Sequence, residues 1–286
     1  MAALCAGAAL FLHLQSAEYD NIYSLSPQYG FEINNLDDVV AAVRSALKDR
    51  SSQIGISLKL KNDHMDDIAP LVKEIMELAW DETGIPDEGD YLRYQSGGYS
   101  FTYSSRKVLG GYLCNMIITP DYYTSADQET AVNVKCAGII ESLGLPEDAS
   151  EYDIVRSVYD YLAMNVTYDA VHRNNGYHTL KATAYGALVN GSATCQGYAV
   201  SMYRLLRELG IECRVITGEG FTGQKSESHA WNIVRVDGSY YYSDPTWNYT
   251  VRDEDYFLCG SADFPDHIPD KEFEGMYDIS EYGLSR

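Results

Sequence analysis

The chain has 286 residues, 45% of them hydrophobic and 22% charged, enough apolar matter to bury a sizeable core and too much for wholesale disorder. Lys and Arg number 21 against 42 Asp and Glu, a formal charge of −21, and such a field repels phosphate backbones and anionic membrane surfaces, so nucleic acid is excluded as the main partner. The six cysteines are widely spaced, with no Cys-x-x-Cys pair and no Cys/His metal spacing, so neither a disulfide scaffold nor a zinc site is indicated.

Residues 2–12 form an apolar run of signal-peptide length, short of the ~20 residues of a membrane span. Residues 1–17 are therefore expected to be a residual export signal, although no Lys or Arg precedes Arg44 and a buried N-terminal segment is the alternative. Export places the protein outside the cell or on its surface, with a cytoplasmic location as the other reading, and no transmembrane anchor is expected. Leu36, Val39, Val40, Val43 and Leu47 recur at helical spacing behind an acidic first turn. Ile54, Ile56, Leu58 and Leu60 alternate as a strand, and Ile68 to Ala79 restore the helical period with Pro70 near its start. Residues 91–119 read as a β-rich hairpin punctuated by Gly97-Gly98 and Gly110-Gly111. Residues 18–125 thus form a small α+β domain without evident chemistry, the Asp63-His64-x-Asp66-Asp67 cluster being read as a helix start rather than a metal site.

A second domain is expected over residues 126–286. Helices are predicted from Ala126 and, behind a Ser150-x-x-Asp153 capping pattern, to Asn165. Residues 195–209 make an amphipathic helix with Tyr198, Met202, Leu205, Leu206 and Leu209 on one face, Gly210 as its stop, and Thr194 or Ser192 as its cap. Cys195 then sits at a helix N-terminus, where unpaired N–H groups and the positive end of the dipole favour a thiolate and can receive an oxyanion. Cys114, Cys136 and Cys213 read as small buried residues.

Downstream, Asp237-Gly238 joins two β-prone runs as a two-residue hairpin. In that register Val236 faces Ser239, Trp231 faces Asp244 and His229 faces Thr246, so His229 and Asp244 are diagonal neighbours on one face, with Trp231 beside them to exclude water. A thiol, a histidine to take its proton and an acid to orient that histidine are the parts of a Cys-His-Asp triad. The stretch Gly218 to Gly223 is read as a glycine-rich connection at the rim of this hairpin, and His172, His178 and His267 show no partner pattern.

At Ala184-Tyr-Gly-Ala-Leu188, Thr194-Cys-Gln-Gly-Tyr-Ala199, His229-Ala-Trp-Asn232 and Asp244-Pro-Thr-Trp247 the chain resembles the transglutaminase-like superfamily, in its bacterial secreted or surface form. The resemblance covers about residues 126–260. It implies an α+β papain-like core with a nucleophile helix packed on an antiparallel sheet, and Cys195 as nucleophile, His229 as base and Asp244 as orienting acid. The oxyanion glutamine of the papain branch would fall on Val189, which cannot donate; Tyr185, Gln196 and Trp231 are the remaining side chains expected to line the site or its oxyanion pocket. No cofactor and no metal are implied. The implied reaction is attack on a peptide or carboxamide carbonyl through a thioester, with hydrolysis favoured. Protein cross-linking by amine transfer, or a non-catalytic protein- or carbohydrate-binding module, are the alternatives. A monomer acting on a protein or peptide, cell-wall associated if exported, is the expected setting.

Overall fold

The computed structural model describes residues 10–13, 36–60, 68–109, 111–223, 225–247 and 256–284. It is an α+β protein whose chain divides into two compact units, residues 1–82 with 96–122, and residues 83–95 with 123–286. The Asp63–Asp67 cluster and Cys5 lie outside the described residues.

In the first unit, β1 (Leu10–His13), β2 (Ile54–Leu60), β3 (Ser96–Val108) and β4 (Gly111–Tyr122) form one sheet in the order β1-β2-β4-β3. Strand β1 falls in the stretch expected to be an export signal and pairs in parallel with β2, while β2–β4 and β3–β4 are antiparallel. Helices α1 (Leu36–Lys48) and α2 (Ile68–Ala79) have the predicted bounds and bury the predicted stripes, including Val39, Val43, Val72 and Ile75. Arg44 joins them, its guanidinium donating to the carbonyls of Leu78 and Ala79 at 2.6 and 3.0 Å in the last turn of α2. The Gly97-Gly98 pair produces a bulge in β3, with Gly98 at φ +100°.

The second unit holds the candidate site. Helix α4 (Ala126–Leu143) starts at Ser125 and Gln128, which form a reciprocal capping box, and α5 (Glu151–Asn165) starts at Ser150, whose hydroxyl accepts from the Asp153 N–H. Strands β5 (Thr167–Tyr168) and β6 (Ser192–Ala193) pair in parallel just ahead of α6 (Cys195–Glu208). The main sheet has the order β10-β7-β8-β9, all antiparallel, from β7 (Cys213–Thr222), β8 (Lys225–Val236), β9 (Ser239–Ser243) and β10 (His267–Pro269). Helix α6 lays Tyr198, Met202, Leu205 and Leu206 into a core shared with Val215 and Val234 of the sheet. Asn232 pins helix to sheet, its amide donating to the carbonyls of Ala199 and Arg214 at 3.0 and 3.1 Å.

Two expectations are corrected by the fold. The segment before Ser96 is not β-structure: α3 (Asp90–Arg93) is a single helical turn that belongs to the second unit. Asp90 is buried and accepts from Arg214 Nε and Nη2 at 2.7 and 3.0 Å and from the Val215 N–H at 2.8 Å, a bidentate long-range pairing that local propensity does not encode. Gly218 and Gly220 are not a loop either. They lie in β7, and a Cβ on Gly218 would stand 2.2 Å from the Ile268 carbonyl oxygen and 2.7 Å from Trp231, so glycine is what lets β10 pair there. Among the described residues no helix is long and apolar enough to cross a membrane.

Candidate active site

Cys195 is the first residue of α6 and is partly exposed. Thr194 occupies the N-cap position, but its hydroxyl does not cap: it donates to the Lys181 carbonyl at 3.3 Å, and its backbone N–H donates to the same oxygen at 2.8 Å. The opening N–H groups of the helix, which have no intrahelical acceptor, are thus left without a side-chain cap beside the thiol. Gly197, the third residue of α6, permits this approach. A Cβ there would meet Ala193 Cβ at 2.6 Å and the Lys181 carbonyl oxygen at 2.8 Å.

The Asp237-Gly238 hairpin has the predicted register, Val236 opposite Ser239 through Asn232 opposite Ser243. Beyond Ser243 the pairing stops, and Asp244 turns the chain by accepting, at Oδ1, from the N–H groups of Thr246 and Trp247 at 2.8 and 3.3 Å. Its other oxygen, Oδ2, lies 2.7 Å from Nε2 of His229. His229 and Asp244 are both buried, at 8% and 0% exposure. Burial alone would strip the proton from His229, but the Asp244 carboxylate, with the Cys195 side chain as a further hydrogen-bond partner, outweighs it and raises the imidazole to about 10. Asp244 is driven well below the usual carboxylate range, because His229 and His267 more than offset its burial. Since Nε2 is engaged by Asp244, Nδ1 is the ring nitrogen left for Cys195.

His267 has no counterpart among the site residues expected from sequence. It comes from the three-residue strand β10, is buried, and places Nε2 at 3.2 Å from Asp244 Oδ2. Its pKa is lowered, burial prevailing over the attraction of Asp244, so the neutral ring donates from Nε2 and leaves a buried Nδ1 without a partner. Rings close in around the pair: Trp247 stands 5.3 Å from His229 and 4.4 Å from His267, and Phe264 stacks on His267 at 3.9 Å.

A cavity of about 590 Å³ opens over these groups, lined by Cys195, His229, Tyr168, Thr194, Thr246 and Trp247 among others, with the Arg173–Glu227 ion pair (2.8 Å) at its rim. The other three side chains expected to line it do not. Trp231 is fully buried and stacks behind His229 at 6.0 Å, with its indole N–H unpartnered. Gln196 donates its amide to the Tyr94 carbonyl. Tyr185 opens a π-helical turn, Tyr185–Val189, and packs against the core. Among the described residues two groups have the composition of a metal site, His229–Asp244–His267 and Asp169–His172–His178. The first is wholly buried and tied by its own hydrogen bonds; in the second, both histidines are partly exposed, His172 Nδ1 lies 3.0 and 2.9 Å from the two Asp169 oxygens, and the His172 N–H donates to Oδ1 at 3.0 Å.

Residues 144–245 match the model of the transglutaminase-like superfamily, across α5, α6 and the hairpin that carries His229 and Asp244. These residues form a transglutaminase-like domain. Kyphoscoliosis peptidase of Homo sapiens is 29% identical over 149 residues, covering 45% of this chain and 22% of that protein, and its Mus musculus counterpart matches to the same extent. This chain therefore spans about a fifth of the length of the curated relatives it matches. A solved TGase structure is 17% identical, with a TM-score of 0.38, over 68% of this chain and 50% of that one. His267 and all of β10 lie past the matched residues, as does the rest of the strap from Tyr256, whose carbonyl accepts from the Asp244 N–H.

Proposed function

We propose that the transglutaminase-like domain is a cysteine-dependent acyl-transfer enzyme that hydrolyses peptide or carboxamide bonds, with Cys195, His229 and Asp244 as its triad. The observation that carries this reading is the position of the His229 ring, tied through Nε2 to a buried carboxylate and lining one cavity with Cys195 at an uncapped helix N-terminus. The peptidase name of the 29%-identical relative supports hydrolysis, as does a solvent-open cavity rimmed by polar Arg173, Asn174, Glu227 and Ser228.

The proposed reaction runs in two halves. His229 enters the reaction as the imidazolium, stabilised by Asp244 and holding at Nδ1 the proton taken from Cys195, which is the thiolate. The thiolate attacks the carbonyl carbon, and the oxyanion develops against the backbone N–H of Cys195 at the α6 N-terminus. Collapse breaks the C–N bond while His229 donates its proton to the departing amine, leaving a thioester. A water, deprotonated by His229, then adds to the thioester, releasing the acid and restoring the thiolate. A primary amine in place of water would give transfer.

The test is product analysis on a quenched-fluorescence peptide library and on glutamine-containing peptides, with and without a primary amine. Free acid and amine termini that vanish in Cys195→Ala support hydrolysis. Amine incorporation without cleavage would replace it by cross-linking, and a wild type as inert as Cys195→Ala would leave a binding module.

A further inference from the structure

We propose that Asp169, His172 and His178 form a binding site for a zinc-class divalent metal ion, set in the loop that walls the Cys195 cleft. Asp169 follows β5 and is clamped by its N–H to the Ala193 carbonyl at 2.9 Å, two residues before the thiol. Its side chain is nearly buried, at 9% exposure, whereas those of His172 and His178 are 42% and 41% exposed, an acid floor with two imidazoles at the mouth. His172 Nδ1 lies 2.9 Å from Asp169 Oδ2, and His178 Nε2 lies 3.9 Å from the same atom. One ligand atom from each residue falls within 4.8 Å of the others. A tetrahedral zinc ion with bonds of about 2.0–2.1 Å holds its ligand atoms about 3.3 Å apart, a spacing that the two measured distances bracket.

The surroundings fit an ion better than an ordinary ion pair. Among the described residues the only cationic partners of Asp169 are these two histidines, whose rings lie 4.1 Å apart and would repel if both were charged. The two other cations of the segment are committed elsewhere: Arg173 pairs with Glu227 at 2.8 Å, and the Lys181 ammonium donates to the carbonyls of His172, Arg173 and Asn175 at 2.7, 2.8 and 2.8 Å and shapes the loop. Two imidazoles and one carboxylate suit zinc, cobalt or nickel, whereas calcium and magnesium favour all-oxygen sets. Three protein ligands leave a fourth position facing a separate cavity of about 340 Å³, also lined by Asn190 and Ser192.

Tyr168, Arg173 and Asn174 of the same segment line the cleft above Cys195. Lys181 in turn receives Thr194 at its carbonyl. An ion at this site fastens the cleft wall to the start of α6. The site stands apart from whatever Cys195 catalyses, because its readout is the bound metal.

The metal-stripped 286-residue chain is titrated with Zn²⁺ by calorimetry and with Co²⁺ by visible absorption. We expect one saturable site per chain with the intense bands of tetrahedral Co²⁺, bleached by Zn²⁺. His172→Ala and His178→Ala each weaken binding by about tenfold or more, and Glu147→Gln, an exposed acid outside the loop, leaves it unchanged. Zinc raises the thermal midpoint of the wild type and not of the His172→Ala/His178→Ala double variant. His178 is partly exposed, so its replacement leaves the buried Asp169 in place and a folded variant is available. No saturable binding, or binding that survives both histidine substitutions, overturns the site and assigns the ion to the acidic surface.

Discussion

His229 and His267 face one another across a single oxygen of Asp244, their ring centroids 5.2 Å apart. The two rings share an acceptor and differ in charge. At His229 the carboxylate and the thiol overcome burial and hold the proton, whereas at His267 burial prevails and the ring stays neutral. Neighbouring groups pushed in opposite directions can take different roles, and here one carries the charge while the other supplies a fixed N–H that orients the carboxylate.

His267→Phe isolates that positioning role. The ring stack on Phe264 and Trp247 is retained while the N–H to Oδ2 is lost, and a hydrogen bond to a charged acceptor contributes about 1.5–3 kcal/mol. The variant is expected to fold and to lose about tenfold or more in kcat/KM. It should also move the alkaline limb of the Cys195 alkylation profile to higher pH, because Asp244 then concentrates its charge on His229. Lower activity with an unmoved limb would reduce His267 to packing.

The His229–Asp244 pair makes stability depend on pH in a definite sense. The folded pKa of His229 is raised from 6.5 to about 10, so its contribution is complete below about 6.5 and is lost as pH rises toward about 10. Asp244 is depressed, so its contribution is present above the ordinary carboxylate value of about 4 and is lost in acid. The pair therefore stabilises most between about pH 4 and 6.5. Urea midpoints measured from about pH 5 to about pH 10 should fall more steeply in the wild type than in Asp244→Asn; parallel curves would show that the pair does not set the alkaline limit.

Cysteine reactivity should separate by position. Burial pushes Cys114 and Cys136 up to about 11, and Cys213 and Cys259 are also buried, whereas Cys195 is partly exposed, opens a helix and partners a protonated histidine. Alkylation near pH 6 followed by mass spectrometry is expected to label Cys195 at least about tenfold faster than these four, with the advantage lost in His229→Ala. Equal rates, or indifference to the substitution, would remove the basis for an activated thiol.

What could be read from the residues is what local rules encode. Asp237-Gly238 dictates a two-residue turn, and the turn dictates the pairing of Val236 with Ser239 through Asn232 with Ser243, which ends one residue short of Asp244. The period of Tyr198 to Leu206 dictates a helix with Cys195 at its start. His267 was beyond such reading, since a three-residue strand carries no periodicity and its partner lies 23 residues away. Asp90 is more distant still from Arg214, at 124 residues. The available signal was the pair Gly218 and Gly220, two apart in a β-prone stretch. Such spacing clears one face of a strand, and here the cleared face receives Ile268, Trp231 and Trp247, the neighbours of the missed histidine.

The same glycines allow the site to be perturbed without touching a titratable group. At Gly220 a Cβ would lie 2.9 Å from Trp247 Cζ2 and 3.3 Å from both Cβ and Cδ2 of His229, so Gly220→Ala must shift the indole and press on the imidazole. At Gly218 the obstacle is the Ile268 carbonyl at 2.2 Å, backbone that yields only if β10 and His267 move off the sheet. Overpacking of this kind costs about 1–3 kcal/mol when side chains can give way and more when backbone must. Gly220→Ala is therefore expected to reduce kcat/KM by about tenfold or more with a modest loss of urea stability, and Gly218→Ala to lose both. Trp247 fluorescence reports the indole's displacement in the first variant. Full activity in Gly220→Ala would mean that the contact between Trp247 and His229 does not govern the imidazole, and the reacting geometry would have to be sought in Asp244 alone.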